Sequence, residues 1–348
     1  MARINLLTRH SGESYGAVLQ TYATCKILQS LGHTVTIINL IGKRRKKRDV
    51  SLQSLKACPK WINFWFFKLK NYPSRTKVMK TIDRRLIPDA DYTIVGSDQV
   101  WHALITKENK LSYFLDFADN TKKLSLASSF GKQQWTEDEE YTKKVRECLS
   151  AFSAISVRET TGVDICRDTF GVKATCIIDP TIAWGRYENF INKKPRKQIA
   201  CFILNGDNTL CYNVVDRLIV ATGMKAKMLD YYSGPKYQYL NSFEKSPVKW
   251  LNEIFNSEIV VTDSFHGVAF SLVFKKQFFV VLTNVKQFER ISSLLRKVGL
   301  ENRVITSMED FNKRQSYLLS PIDYQYAQKV LEEEQRSYYS FAKNNIHE

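Results

Sequence analysis

Along the first forty residues the apolar positions change period twice. Ile4-Asn5-Leu6-Leu7 is a short apolar run that reads as a strand. A polar loop from His10 to Gly16 follows. Val18, Tyr22, Cys25, Leu28 and Leu31 then recur at helical spacing, and Gly32 supplies the residue that closes a helix. Residues 34–41 are a β-branched run of the kind that forms a buried strand. Strand, helix and strand in this span predict a βαβ unit, hence a parallel sheet with a right-handed crossover.

The alternation continues down the chain. Strands are expected at 91–95, 122–130, 154–157 and 175–178, with a helix at 136–149. Glu137, Asp138, Glu139 and Glu140 open that helix, which suits the positive end of its dipole. Residues 184–196 read as a connection. A second set follows: strands at 198–204, 225–229, 259–262 and 278–282, and helices at 208–222, 246–256, 288–298 and 323–342. Pro247 stands near the start of one helix, and another runs on from the 259–262 strand to Phe274. The pattern predicts an α/β protein of two Rossmann-like domains, 1–184 and 185–348, with an insertion at 42–86. Their parallel sheets are expected to face a cleft, as in the GT-B architecture, with ligands at the carboxyl ends of the strands.

A chain of 348 residues with 44% apolar and 25% charged residues is large enough for two cores without disulfides or a structural metal. No apolar run reaches 18 residues and no signal-peptide pattern opens the chain, so a cytoplasmic protein is expected. The seven cysteines are odd in number, lack a Cys-x-x-Cys pair and sit mostly in apolar stretches, where a thiol packs as a small hydrophobe. The five histidines are scattered and make no zinc pattern with them.

Polar or small residues stand at several strand ends. In Val260-Val261-Thr262-Asp263-Ser264-Phe265-His266-Gly267 a buried strand stops and a helix begins. The backbone N–H groups there, with the Ser264 hydroxyl, make an anion site. His266 can give or take a proton near neutral pH, and Gly267 permits close backbone approach. A helix cap with a packed histidine is the competing reading. In Gly96-Ser97-Asp98-Gln99-Val100-Trp101, Asp98 can orient or deprotonate a hydroxyl and Trp101 can stack on a sugar, or Asp98 can be a helix N-cap. Gly16 lies at the next helix start after Glu13, Ser14 and Tyr15, and Gln20, one turn in, reads as facing either the site or solvent. Asp179-Pro180-Thr181 reads as a turn. Arg290 can clamp a carboxylate or phosphate, or be a surface arginine. Asp89-Ala90-Asp91 matches the Asp-x-Asp pattern of metal-dependent sugar transferases. It precedes its strand, on the side away from ligands, so it reads as a turn and no metal is expected.

Together these segments resemble the polysaccharide pyruvyl transferase family. The resemblance rests on Tyr15-Gly16-Ala17-Val18-Leu19-Gln20-Thr21-Tyr22-Ala23, Ile94-Val95-Gly96-Ser97-Asp98-Gln99-Val100-Trp101, Ser125-Leu126-Ala127-Ser128-Ser129-Phe130-Gly131, Ser156-Val157-Arg158-Glu159, Ile178-Asp179-Pro180-Thr181 and Thr262-Asp263-Ser264-Phe265-His266-Gly267, in that order. The loop Ser11-Gly12-Glu13-Ser14 departs from the Gly-Asn type of turn found in many relatives.

The resemblance implies a GT-B-like fold, phosphoenolpyruvate as donor with no separate cofactor, and a pyruvate ketal on a hexose. Such sugars belong to capsules, exopolysaccharides or other surface glycans, and a lipid-linked oligosaccharide is one expected acceptor. It implies that His266 is the acid or a phosphate contact, that Arg290 clamps the donor, and that Asp98 orients the acceptor hydroxyl. Ser264, Gly267, Ser97, Gln99, Trp101 and Gly16 become substrate contacts, with the acceptor on the first domain and phosphoenolpyruvate on the second. A nucleotide-sugar-dependent glycosyltransferase and a catalytically inactive glycan-binding protein are the competing functions.

The net charge of +17 is concentrated. Residues 43–85 hold fifteen Lys and Arg against Asp49 and Asp83, so this stretch carries +13 of it. That is a local feature, and no nucleic-acid partner is expected. Lys43-Arg44-Arg45-Lys46-Lys47-Arg48 is followed by Trp61-Ile62-Asn63-Phe64-Trp65-Phe66-Phe67 among Lys60, Lys68 and Lys70. Aromatics beside cations suit the surface of an anionic membrane, so peripheral association at its inner face is one expectation. A core helix next to a solvated basic loop is the other.

Overall fold

The computed structural model describes residues 1–41, 60–204, 209–230, 240–241, 245–283 and 285–347, with backbone alone at 240–241 and 285–289. The basic run at 43–48 and Cys58 lie outside the described residues.

Two parallel sheets form. The first contains β1 (Arg3–Leu7), β2 (Thr34–Ile37), β3 (Ser74–Arg75), β4 (Tyr92–Val95), β5 (Lys122–Ser128), β6 (Phe152–Val157) and β7 (Thr175–Cys176), in the order β3-β2-β1-β4-β5-β6-β7. The second contains β8 (Arg196–Phe202), β9 (Lys225–Met228), β10 (Leu240–Asn241), β11 (Ser257–Thr262), β12 (Gln277–Val281) and β13 (Val304–Ile305), in the order β10-β9-β8-β11-β12-β13. In the first, Leu6 of β1 lies between Ile37 and Ile94, and β4 is buried at all four positions. Such strands are covered on both faces, which is why they read as apolar runs without alternation.

Among the described residues the chain forms two compact units, bounded as Met1–Leu52, Lys68–Trp184 and Glu332–Glu348 for the first, and Gln53–Phe67 and Gly185–Leu331 for the second. This differs from a division into 1–184 and 185–348 in two places. The helix Lys60–Asn71 starts in the second unit, where Phe67 meets the Phe190 ring at 5.6 Å and Lys60 pairs with Asp230 at 2.9 Å. The terminal helix Gln325–Asn345 ends in the first unit, where Gln335 donates to Ile182 O at 2.9 Å and Tyr338, Ala342 and Ile346 are buried. The stretch expected as a plain connection is structured too: Tyr187 is buried edge-on to Phe270, with ring centroids 5.0 Å apart.

Each unit has its own core. In the first, Trp101, Phe114, Phe130 and Phe170 gather with Leu7, Val95 and Val157. In the second, Ile199, Cys201, Val261, Phe279 and Phe311 close around the sheet. None of Cys25, Cys148, Cys166, Cys176, Cys201 and Cys211 is joined in a disulfide, and burial pushes the Cys148 thiol up to about 11 and that of Cys166 to about 12. No helix among the described residues is long and apolar enough to cross a membrane.

Glu253 on the helix Pro247–Asn256 anchors the second sheet. Its buried carboxylate accepts from Lys227 at 2.7 Å and from Arg196 and Gln198 at 2.9 Å. Burial alone would raise its pKa, but the Lys227, Gln198 and Arg196 donors outweigh burial and hold it below the ordinary value. A lowered carboxyl pKa stabilises the fold above the ordinary carboxylate range, and that contribution fades as pH falls through the folded-state value. Glu253→Gln should therefore cost about 2 kcal/mol at neutral pH. Thermal unfolding scans of the variant and parent should converge as the pH is taken below the ordinary carboxylate range and through the lowered folded-state value.

Candidate functional site

In an open parallel sheet the crevice outside the carboxyl ends of two strands, where the winding reverses, is the natural ligand position. The first sheet reverses between β1 and β4, the second between β8 and β11. The segment after β4 begins with Gly96-Ser97-Asp98-Gln99, and that after β11 with Asp263-Ser264-Phe265-His266. Each unit thus presents one of the two strongest constellations at its own switch point.

In the first unit, Gly96 lies so close to β1 that a Cβ on it would come within 3.0 Å of Thr8 Cβ. Thr8 Oγ1 donates to Ser97 O at 2.9 Å. Gln20 is fully buried, which removes its solvent-facing reading. Its Nε2 donates to Thr8 Oγ1 at 2.9 Å and to Ala17 O at 3.0 Å, while Oε1 lacks a hydrogen-bond partner among the described residues. Asp98 takes a left-handed backbone, φ 81°, and its carbonyl accepts from both Val100 N and Ser129 N. It is not a helix N-cap, since the next helix, Ala103–Thr106, is preceded by His102. The Asp98 carboxylate lies 3.5 Å from Arg9 Nη1, a partly exposed cation at the end of β1.

Several of the expected contacts turn inward. Trp101 is 1% exposed, stacks on Phe114 at 5.2 Å and donates its indole N–H to Tyr113 O at 2.9 Å. An indole closed in by Phe114 and Phe130 has no face for a sugar, so Trp101 is a core residue. The Ser97 hydroxyl is engaged with Asp179 at 3.1 Å. Gln99 is half-buried against Gly131, where a Cβ would come within 2.5 Å of its amide nitrogen. Gly16 is buried in the first turn of the helix Tyr15–Ser30, behind the Ser14 cap.

Beneath this loop lies a charged network. Arg158, directly after β6, donates to Asp179 at 2.7 Å, and both side chains are almost wholly withdrawn from solvent. The other Asp179 oxygen accepts from Thr181 N at 2.9 Å and Thr181 Oγ1 at 2.6 Å. Glu159 accepts from Ser129 Oγ at 2.7 Å and Gly131 N at 3.3 Å. Burial alone would lower the Arg158 pKa, but Asp179, Glu159 and Asp98 outweigh it and hold the guanidinium above its ordinary value. Asp179 is therefore a polar anchor, and Pro180 and Thr181 open the helix Pro180–Trp184 where a turn was expected. Arg9, Arg158 and Glu159 were not among the sequence candidates, although each follows or nearly follows a strand.

In the second unit, Thr262 Oγ1 donates to Phe202 O at 2.6 Å and accepts from Ser264 N at 3.0 Å. A Cβ on Gly267 would come within 2.2 Å of that same oxygen, so only glycine fits. Asp263 accepts from Leu204 N at 2.7 Å, joining the segments after β8 and β11. Ser264 is the N-cap residue of the helix Phe265–Val273 but makes no side-chain capping bond. The capping reading therefore fails for its hydroxyl, which sits at the positive end of a nine-residue helix. His266 is half-buried, its ring edge-on to Phe265 at 5.4 Å. Arg290 is half-buried in the second turn of the helix Val285–Lys297, which runs beside Phe265–Val273.

Asp89 and Asp91 lie at the amino edge of the first sheet. Asp91 accepts from Arg3 N at 2.7 Å, and both acids line a cavity of about 880 Å³ with Arg3, Asp119 and Lys122. This cavity is at the opposite edge from the switch point. Among the described residues no three His, Cys, Asp or Glu side chains gather as metal ligands would.

Two doubly wound parallel sheets of this kind define a GT-B-like α/β protein, and solved structures agree. The S. aureus MnaA–UDP co-structure is 12% identical with a TM-score of 0.54, covering 100% of this chain and 98% of that one. A UDP-N-acetylglucosamine 2-epimerase is 10% identical with a TM-score of 0.55 over 100% and 98%. The glycotransferase of kitacinnamycin is 11% identical with a TM-score of 0.51 over 99% of each chain. At these identities the likeness is one of fold. A comparison with curated proteins returns no significant match. The chain belongs to the polysaccharide pyruvyl transferase family, whose model matches residues 15–284.

Two substitutions test the supports of the site. Gly267→Ala should cost about 1–3 kcal/mol through overpacking against Thr262. Trp101→Ala should cost about 3–5 kcal/mol as a core truncation. Urea titration of each variant checks both, and a Trp101→Ala protein as stable as the parent would contradict its core position.

Proposed function

We propose that the protein transfers a pyruvyl group from phosphoenolpyruvate to two hydroxyls of a hexose, forming a ketal in a surface polysaccharide or its precursor. Family membership is the observation that carries this reading. The helix start at Ser264 suits the donor, because backbone N–H groups and an uncapped hydroxyl bind phosphate, and His266 stands in its first turn.

In this proposal His266 delivers a proton to the donor's methylene carbon, or holds the phosphate while that proton arrives. C2 becomes cationic, one sugar hydroxyl adds to it, and the C2–O bond to phosphate breaks with its electron pair on phosphate. The second hydroxyl closes the ketal. Two protons leave the hydroxyls; one is balanced by the new methyl hydrogen and the other departs on phosphate. Arg290 serves as the carboxylate or phosphate clamp, and Asp98, beside Arg9, orients an acceptor hydroxyl. The charges involved are offset by protein cations and N–H groups, so we expect turnover without a metal.

Phosphoenolpyruvate should raise the melting temperature by mass action. Stabilisation by a nucleotide sugar and none by phosphoenolpyruvate would replace this reading with a nucleotide-sugar glycosyltransferase. His266→Ala should lower ketal formation by roughly 10²-fold or more while the fold persists. A folded variant with near-normal turnover would remove His266 from the chemistry. Turnover should also be unchanged by a chelator; loss that magnesium restores would contradict the metal-free expectation.

A further inference from the structure

The helix Lys60–Asn71 is apolar on two opposite sides. One side is accounted for: Phe64 and Phe67 are buried, and Asn63 donates to Lys245 O at 3.4 Å. At about 100° per residue, Trp61, Trp65, Leu69 and Phe66 fall within an arc of about 140° on the other side. They are 55%, 46%, 55% and 57% exposed. Of the eleven large apolar side chains exposed among the described residues, four stand on this one helix, including both exposed tryptophans. Trp65 and Phe66 meet edge to face at 4.9 Å, so part of the array is already ordered.

A face of this kind in water is unfavourable and signals a partner. Its charge says which. The helix contains no acidic residue, and Lys68 and Lys70 stand in its last turn. Successive 100° steps put exposed Lys70 next to Phe66 at one margin of the apolar arc, and half-buried Lys68, whose ammonium donates to Gly12 O at 3.2 Å, next to Trp61 at the other. Tryptophan and phenylalanine bordered by lysine match the layer between acyl chains and head groups, where indoles settle and ammonium groups reach phosphate. A second copy of the chain is a poor occupant, because it would bring the same lysines together on a protein of net charge +17.

We propose that this face of the helix Lys60–Asn71 docks on an anionic lipid bilayer, with Trp61, Trp65, Phe66 and Leu69 entering the interfacial layer. The proposal goes beyond pyruvyl transfer and does not depend on it. Binding and catalysis are measured separately, so either can fail alone.

The test uses the full chain with vesicles of phosphatidylcholine alone or mixed with phosphatidylglycerol. The protein should sediment only with the anionic vesicles, and its tryptophan emission should be quenched by brominated acyl chains. Partitioning should fall about tenfold or more as salt rises from about 0.05 to about 0.5 M. Lys70→Glu should weaken it about tenfold. The triple variant Trp61→Ser, Trp65→Ser, Phe66→Ser should weaken it about a hundredfold while its melting temperature stays close to the parent's, since these side chains are exposed. Equal recovery in the supernatant with neutral and anionic vesicles at low salt would overturn the proposal. So would a triple variant that binds as well as the parent, because other charges would then hold the vesicles. Self-association that the triple substitution abolishes, without vesicle binding, would assign the face to a second copy instead.

Discussion

The pairing of Arg158 with Asp179 sets the terms for the first unit. Two charges 2.7 Å apart and nearly without solvent carry a desolvation cost that further hydrogen bonds to the carboxylate help to offset. Ser97 and Thr181 complete Asp179, while neighbouring Glu159 recruits Ser129 and Gly131. Ser97 follows β4, Ser129 and Gly131 follow β5, Arg158 and Glu159 follow β6 and Thr181 follows β7, so this network ties four strand ends together. With Ser97 held from below, Val100 N and Ser129 N converge on the Asp98 carbonyl, and its backbone enters the left-handed region. The carboxylate beside Arg9 is thus presented by the network beneath it.

The second unit reaches the corresponding arrangement with one buried acid, Asp263, whose carboxylate accepts from Leu204 N at 2.7 Å. One hydroxyl, Thr262 Oγ1, bonds to β8 on one side and to Ser264 N on the other. Gly267 lets the helix approach that oxygen. The Ser264 hydroxyl is left out of the capping scheme, where an ordinary helix would use it.

Much of this was legible in the sequence, and the limits follow from physics. Strand ends and helix starts were readable because apolar runs and turn residues are local signals, and they located the segments after β4 and β11. Side-chain direction was not. Trp101 and Gln20 follow polar segments that look like site residues, yet one turns into an aromatic core and the other against Thr8. Arg158 needs Asp179, 21 residues away, to declare its role. The helix Lys60–Asn71 resisted for a different reason: apolar on two sides, it has no single period that tells a core face from an exposed one.

The path of the terminal helix has a consequence for biosynthesis. Tyr338, Ala342 and Ile346 belong to the unit that contains β1, and His347 N donates to Tyr92 OH at 3.0 Å. A ribosome delivers β1 before the second unit and these residues after nearly all of it. The first unit therefore cannot reach its final packing while it is being synthesised. It must wait, with part of its apolar surface uncovered, until the second unit has been made, so the unit whose strands are made earlier is the one that finishes folding later.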